Sequence, residues 1–176
     1  MFEGWENYYL MIGSSAGALI GLMFVVVTLT AGRDRAEIER GKHLYTSPIV
    51  WHLAVILTLS GAAAIPGISA RVFGAATIFL AALGFGWGIR SATGIWRRPG
   101  APDAAGFDTF WYGIAPALVY VCLGAAGIGI FAAQAWGENA VAVALMALLL
   151  VSIHAEWDLV TYLAPIAGQP PPRDPS

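Results

Sequence analysis

Charge is what this chain has least of. Only 11% of its 176 residues are Asp, Glu, Lys or Arg, while 58% are hydrophobic; soluble domains carry about 25% charged residues. With a mean hydropathy of +0.69, an ordinary soluble domain is excluded. Nine lysines and arginines are too few to hold a nucleic-acid backbone. A single cysteine, Cys122, excludes an intramolecular disulfide and any CxxC redox pair. There is no TVGYG filter, no GxxxxGK[ST] phosphate loop, no HExxH zinc helix and no CxxCH haem attachment. No serine or cysteine stands beside a credible base, so nucleophilic catalysis has no candidate. The opening MFEGWENYY is acidic and aromatic, without the positive charge of a signal peptide.

What the chain does have is long apolar runs. A span needs about 20 mainly apolar residues to cross roughly 30 Å of hydrocarbon. Five stretches qualify, at about 7–31, 48–66, 70–89, 109–135 and 139–160. Drawing them sorts the basic residues. Arg33, Arg35, Arg40, Lys42, Arg90, Arg97, Arg98 and Arg173 fall on one side and only Arg71 on the other. Short loops rich in Lys and Arg stay cytoplasmic. The expectation is therefore an all-α, polytopic bundle of five transmembrane helices, N-terminus outside and C-terminus cytoplasmic. Residues 1–165 form the single bundle, and a Pro-rich tail over 166–176 is disordered. Such a protein belongs in a bacterial inner membrane. The tryptophans cluster near span ends, as expected of interfacial side chains.

The loops add little chemistry. Trp96, Arg97 and Arg98 suit an anionic inner leaflet, where each basic residue contributes about 1 kcal/mol. Span one carries Gly13, Gly17 and Gly21 at four-residue spacing, with Gly84 and Gly88 repeating the pattern in span three. Glycines so spaced form a nearly straight groove, and close contact is what joins helices in lipid. The span-one stripe is expected to pack on a helix of its own chain, on a second copy, or on another membrane protein.

Ionisable residues inside spans are few, and such residues are functional candidates by default. His52 lies about one turn inside span two. His154, Glu156 and Asp158 lie near the cytoplasmic end of span five, at a depth that matches His52 when counted at about 1.5 Å per residue. His154 and Asp158, four apart, share a helix face, and Glu156 points elsewhere. Together these four form a candidate ion or proton site. Trp157 marks the headgroup level, where Glu156 and Asp158 would be wet. No metal is predicted, because three or four ligands would have to converge. No cofactor is predicted either, although His52 and His154 are conceivable b-type haem ligands.

The favoured reading is a non-catalytic accessory or assembly component of a membrane complex. The first alternative is a homo-oligomeric channel or transporter for an ion or small solute, its His/acid cluster at the cytoplasmic mouth. A b-type haem protein is the second. The partners implied are the bilayer, anionic inner-leaflet lipids and a membrane helix; nucleic acid is not one.

Overall fold

A computed structural model describes the backbone of residues 2–30, 47–96 and 110–167. Every regular element among them is helical. The order is α1 (Glu6–Thr30), α2 (Ser47–Ala63), α3 (Ala70–Trp96), a π-helical turn (Phe110–Ile114) running into α4 (Ala115–Phe131), and α5 (Trp136–Ala167). Four stretches are long and apolar enough to cross a membrane: Glu6–Val26, Ala70–Thr93, Phe110–Phe131 and Trp136–Thr161. Pro48–Ala63 is apolar but shorter, about 24 Å at 1.5 Å per residue. The first basic loop, Arg97 and Arg98, and the tail beyond Ala167 lie outside the described residues.

Helix ends differ from the hydropathy limits for local reasons. α2 stops at Ala63 instead of 66, because Ile65-Pro66-Gly67-Ile68 is a turn closed by Ile68 N–H donating to the Ile65 carbonyl at 3.3 Å. Proline suits its second position, and Gly67, with φ +73°, supplies the left-handed third position of a type II turn. Ser69 then caps α3, its Oγ accepting from the Val72 N–H at 3.2 Å. α3 continues past 89 to Trp96, since Arg90 ends an apolar run without interrupting backbone hydrogen bonds. α4 ends at Phe131 in a Schellman cap. Gln134 N–H reaches the Gly129 carbonyl at 2.8 Å, and Ala133 N–H reaches that of Ile130 at 2.9 Å. Ala133 takes the left-handed conformation there, φ +56°.

α1 and α5 run in the same direction, with the Tyr8 hydroxyl donating to the Ala142 carbonyl. α2 lies antiparallel to α1, and Ser60 abuts Gly13. The first end of the bundle is closed by aromatic edge contacts, Phe2 to Tyr9 at 4.9 Å and Phe2 to Phe73 at 4.7 Å. Between the ends, Ile12, Leu53, Ile56, Leu123, Leu145 and Leu148 form a closed apolar core. Outward-facing Leu10, Phe24, Val72, Phe79, Val143 and Leu150 are exposed, more apolar surface than a soluble monomer presents and the surface expected of a bundle in lipid.

The most extensive pair is α3 with α4 and its π turn, and small residues determine its register. Contacts run from Gly74 with Phe131, through Ile78 with Gly127, Ala81 with Gly124, Gly84 with Tyr120 and Gly88 with Ala117, to Ala92 with Gly113. Each step is three or four residues on both helices, in opposite directions: a straight antiparallel seam. A Cβ on Gly74 would stand 2.7 Å from the Phe131 nitrogen, and one on Gly113 would stand 2.8 Å from the Ala92 Cα. Main chain is in contact with main chain there. By contrast, a Cβ on Gly17 or Gly21 would meet nothing within 4 Å.

This difference is measurable. Gly74→Ala and Gly113→Ala should each lower stability by about 1–3 kcal/mol, the usual cost of overpacking, in a mixed-micelle denaturation series. Gly17→Ala and Gly21→Ala should leave the same transition unmoved or raise it slightly.

Candidate functional site

The second end of the bundle is polar, and the π turn organises it. Pro116 has no N–H to offer the Tyr112 carbonyl one turn earlier, and in a regular α-helix its ring would press on that carbonyl. Widening the turn over Phe110–Ile114 relieves both problems, and such turns frequently occur at functional positions. It also allows two consecutive side chains, Trp111 and Tyr112, to reach the same neighbour, α5. Gly113 makes the approach possible by seating the turn against Ala92.

On α5 they meet the four-residue pair. The Tyr112 hydroxyl donates to Asp158 Oδ2 at 3.0 Å, and His154 Nε2 approaches the same oxygen at 3.4 Å. Trp111 packs over the His154 ring with centroids 4.3 Å apart. One carboxylate oxygen thus accepts from a phenol of one helix and faces an imidazole of another, whose Nε2 is buried and makes no hydrogen bond among the described residues. Both α5 side chains are about one-third exposed, 34% and 38%, so the chain of groups runs from the bundle edge to its surroundings.

His52 belongs to a separate, deeper pair. It is 3% exposed, and its Nδ1 shares a 2.8 Å hydrogen bond with the Tyr120 hydroxyl. Tyr120 can lie there because Gly84 has no side chain: a Cβ at that position would fall on the phenol ring. The glycine of span three is therefore part of the construction of this pair.

Glu156 stands apart from both. Two residues along an α-helix turn the side chain about 200°, so the carboxyl points away from the His154/Asp158 face. It is 5% exposed, not wet as its place beside Trp157 suggests; Trp157 is 68% exposed. Neither carboxyl oxygen has a hydrogen-bond partner.

The structure thus joins His154 to Asp158 and leaves His52 and Glu156 in other settings; no hydrogen bond or ring contact links the two histidines. Among the described residues no three His, Cys, Asp or Glu side chains group as metal ligands. Of the glycines, Gly13 packs on Ser60, Gly84 on Tyr120 and Gly88 on Ala117, while Gly17 and Gly21 are open. The Trp96 side chain lies outside the described residues. Trp111, Tyr112 and Tyr120 are the partners of these candidate groups that sequence reasoning misses. Their signal is a pair of phenols in an otherwise apolar span, each needing a partner once buried. The chain matches no protein-family model, no curated protein and no solved structure.

Tyr120→Phe should cost about 1–3 kcal/mol, because it strands a buried imidazole nitrogen. Adding His52→Leu should recover part of that loss, a non-additivity that a double-mutant cycle in detergent reads directly. Additive losses would mean that the two groups are not coupled.

Proposed function

We propose that this is a small multi-pass membrane protein that takes up a proton or small cation at the polar end of its bundle. The observation that carries the reading is Asp158 Oδ2, shared by Tyr112 and His154 and partly open to the surroundings. Ionisable side chains in membrane helices are rare and mark ion or proton paths. A phenol, a carboxylate and an imidazole in contact can pass a proton or hold a cation. The basic loops of the sequence assign this end to the cytoplasmic side, with the N-terminus outside. Five helices packed on one another leave little room for an enclosed path, so the working unit is an assembly of several copies.

Assembly through α1 is the second reading, favoured by a specific observation. Gly17 and Gly21 are exposed, and no described residue of their own chain fills the space beside them. A membrane helix, from another copy or from a different protein, can approach closely along such a groove.

Both readings are tested in lipid. In proteoliposomes with an internal pH dye and an imposed potential, Asp158→Asn and Tyr112→Phe should lower proton or cation flux by about tenfold, the scale of a lost charge-assisted hydrogen bond. Unchanged flux rules out the Asp158 path. Gly17→Ile should shift the particle to smaller mass in native mass spectrometry while helicity is retained, and an unchanged mass removes α1 as the contact.

A further inference from the structure

The most exceptional group in the bundle is the Glu156 carboxyl, for which the described residues provide no counter-charge. The elements packed on α5 are α1, α2, α4 and the π turn. α2, α4 and the π turn contain no Lys, Arg, Asp or Glu, and the only charged residue of α1 is Glu6, in its first turn at the opposite end. Their titratable groups are engaged or distant. His52 is bonded to Tyr120 and Tyr112 to Asp158, and Tyr8 donates to Ala142 near the far end. Tyr9 lies beside Phe2 and Tyr8 in the aromatic cap. On α5 itself, His154 and Asp158 pair with each other on another face. Arg71 and Arg90, the only basic residues of the described helices, both stand exposed on α3.

Neutral donors are missing as well. Ser152, one turn before Glu156 on the same face, is buried but donates its hydroxyl to the Leu148 carbonyl at 2.8 Å. Both Glu156 oxygens are sealed and without a partner. An ionised carboxylate cannot persist in such surroundings; it neutralises instead. A metal ion would need several oxygen or nitrogen ligands, and no group of three exists among the described residues. A proton needs only the carboxyl.

We propose that Glu156 is a buried proton-binding site, carrying its proton when α5 is packed as seen here and releasing it to water only when the last turns of α5 open. The step is the breaking of the carboxyl O–H bond, the electron pair remaining on oxygen and the proton passing to a water molecule. This assignment deepens the ion-handling reading and rests on it for its role in transport, with the proton as the transported species. It also explains why Asp158, two residues away, is built differently: that carboxylate has its donor and its exposure, and Glu156 has neither.

Carbodiimides react with protonated carboxyls, and their partition between lipid and water reports where the carboxyl lies. The full chain in nanodiscs should acquire a dicyclohexylcarbodiimide adduct on Glu156, located by peptide mass spectrometry. That adduct should fade as pH is raised, and a water-soluble carbodiimide should leave Glu156 unmodified. Sodium or potassium at fixed pH should give no protection. The proposal is overturned by absence of the adduct, by pH-independent labelling, by equal labelling with the soluble reagent, or by protection from a metal cation. Glu156→Gln, a neutral isostere, should keep the wild-type melting temperature; a marked loss would show that a negative charge is required there, and would also overturn it. Labelling without proton flux retains the assignment and removes transport. Flux that persists in protein lacking the adduct does the reverse.

Discussion

Close contact between α3 and α4 is the constraint on which the rest of the bundle depends. In lipid, apolar surface gains nothing by leaving one hydrocarbon for another, so helices associate through van der Waals contact and hydrogen bonds. The seam from Gly74 to Ala92 brings backbone against backbone at Gly74, Gly88, Gly113 and Gly127, and its consequences are chemical as well as mechanical. Gly84 makes the space that Tyr120 fills, and Tyr120 holds His52 of α2. Gly113 seats the π turn on Ala92, and that turn brings Tyr112 to Asp158 of α5. Two hydrogen bonds that link α4 to its other neighbours thus depend on missing side chains at the α3–α4 contact.

The second organising element is Pro116. Within a span, proline removes one donor and forces a choice between a kink and a wider turn. This chain takes the wider turn at the end of the segment, where neighbouring polar groups can use it. The resulting contact is asymmetric. Trp111 supplies an apolar face to His154, and Tyr112 supplies a donor to Asp158. Together they hold the four-residue pair in one orientation.

The all-helical class and the approximate positions of the described helices were legible in the sequence, because apolar length reflects a transfer energy summed over many residues. Helix ends were less so. Hydropathy locates where polarity changes, but the helix stops where a turn or cap supplies alternative hydrogen bonds, as at Pro66-Gly67 and Ala133. Helix contacts were the least legible. Gly13, Gly17 and Gly21 have the tidiest spacing, yet among the described residues only Gly13 of the three meets a neighbour; the tight seam uses Gly74, Gly113 and Gly127, whose partners lie on another helix. Spacing within one helix shows that a groove exists and does not say what fills it. The ionisable residues were visible because they are rare. Their pairing was not, because phenols count as apolar in a hydropathy sum and reveal their hydroxyls only when buried.

The short segment from His154 to Asp158 shows why counting depth along a helix is insufficient. His154, Glu156 and Asp158 lie within about 6 Å of one another along the axis, and depth alone assigns them a common environment. Azimuth separates them. His154 and Asp158 share the side that meets the π turn and reaches the surroundings, whereas Glu156 turns into the bundle beside Ser152, whose hydroxyl is already committed. A carboxylate with a donor and partial exposure can exist charged at little cost; one sealed without donors has to be neutral or cause its surroundings to rearrange. Two acidic residues two positions apart therefore have opposite relations to the fold. Asp158, accepting from Tyr112, helps to close the contact between α4 and α5, and Glu156, were it to lose its proton, would act to open the packing on the other face.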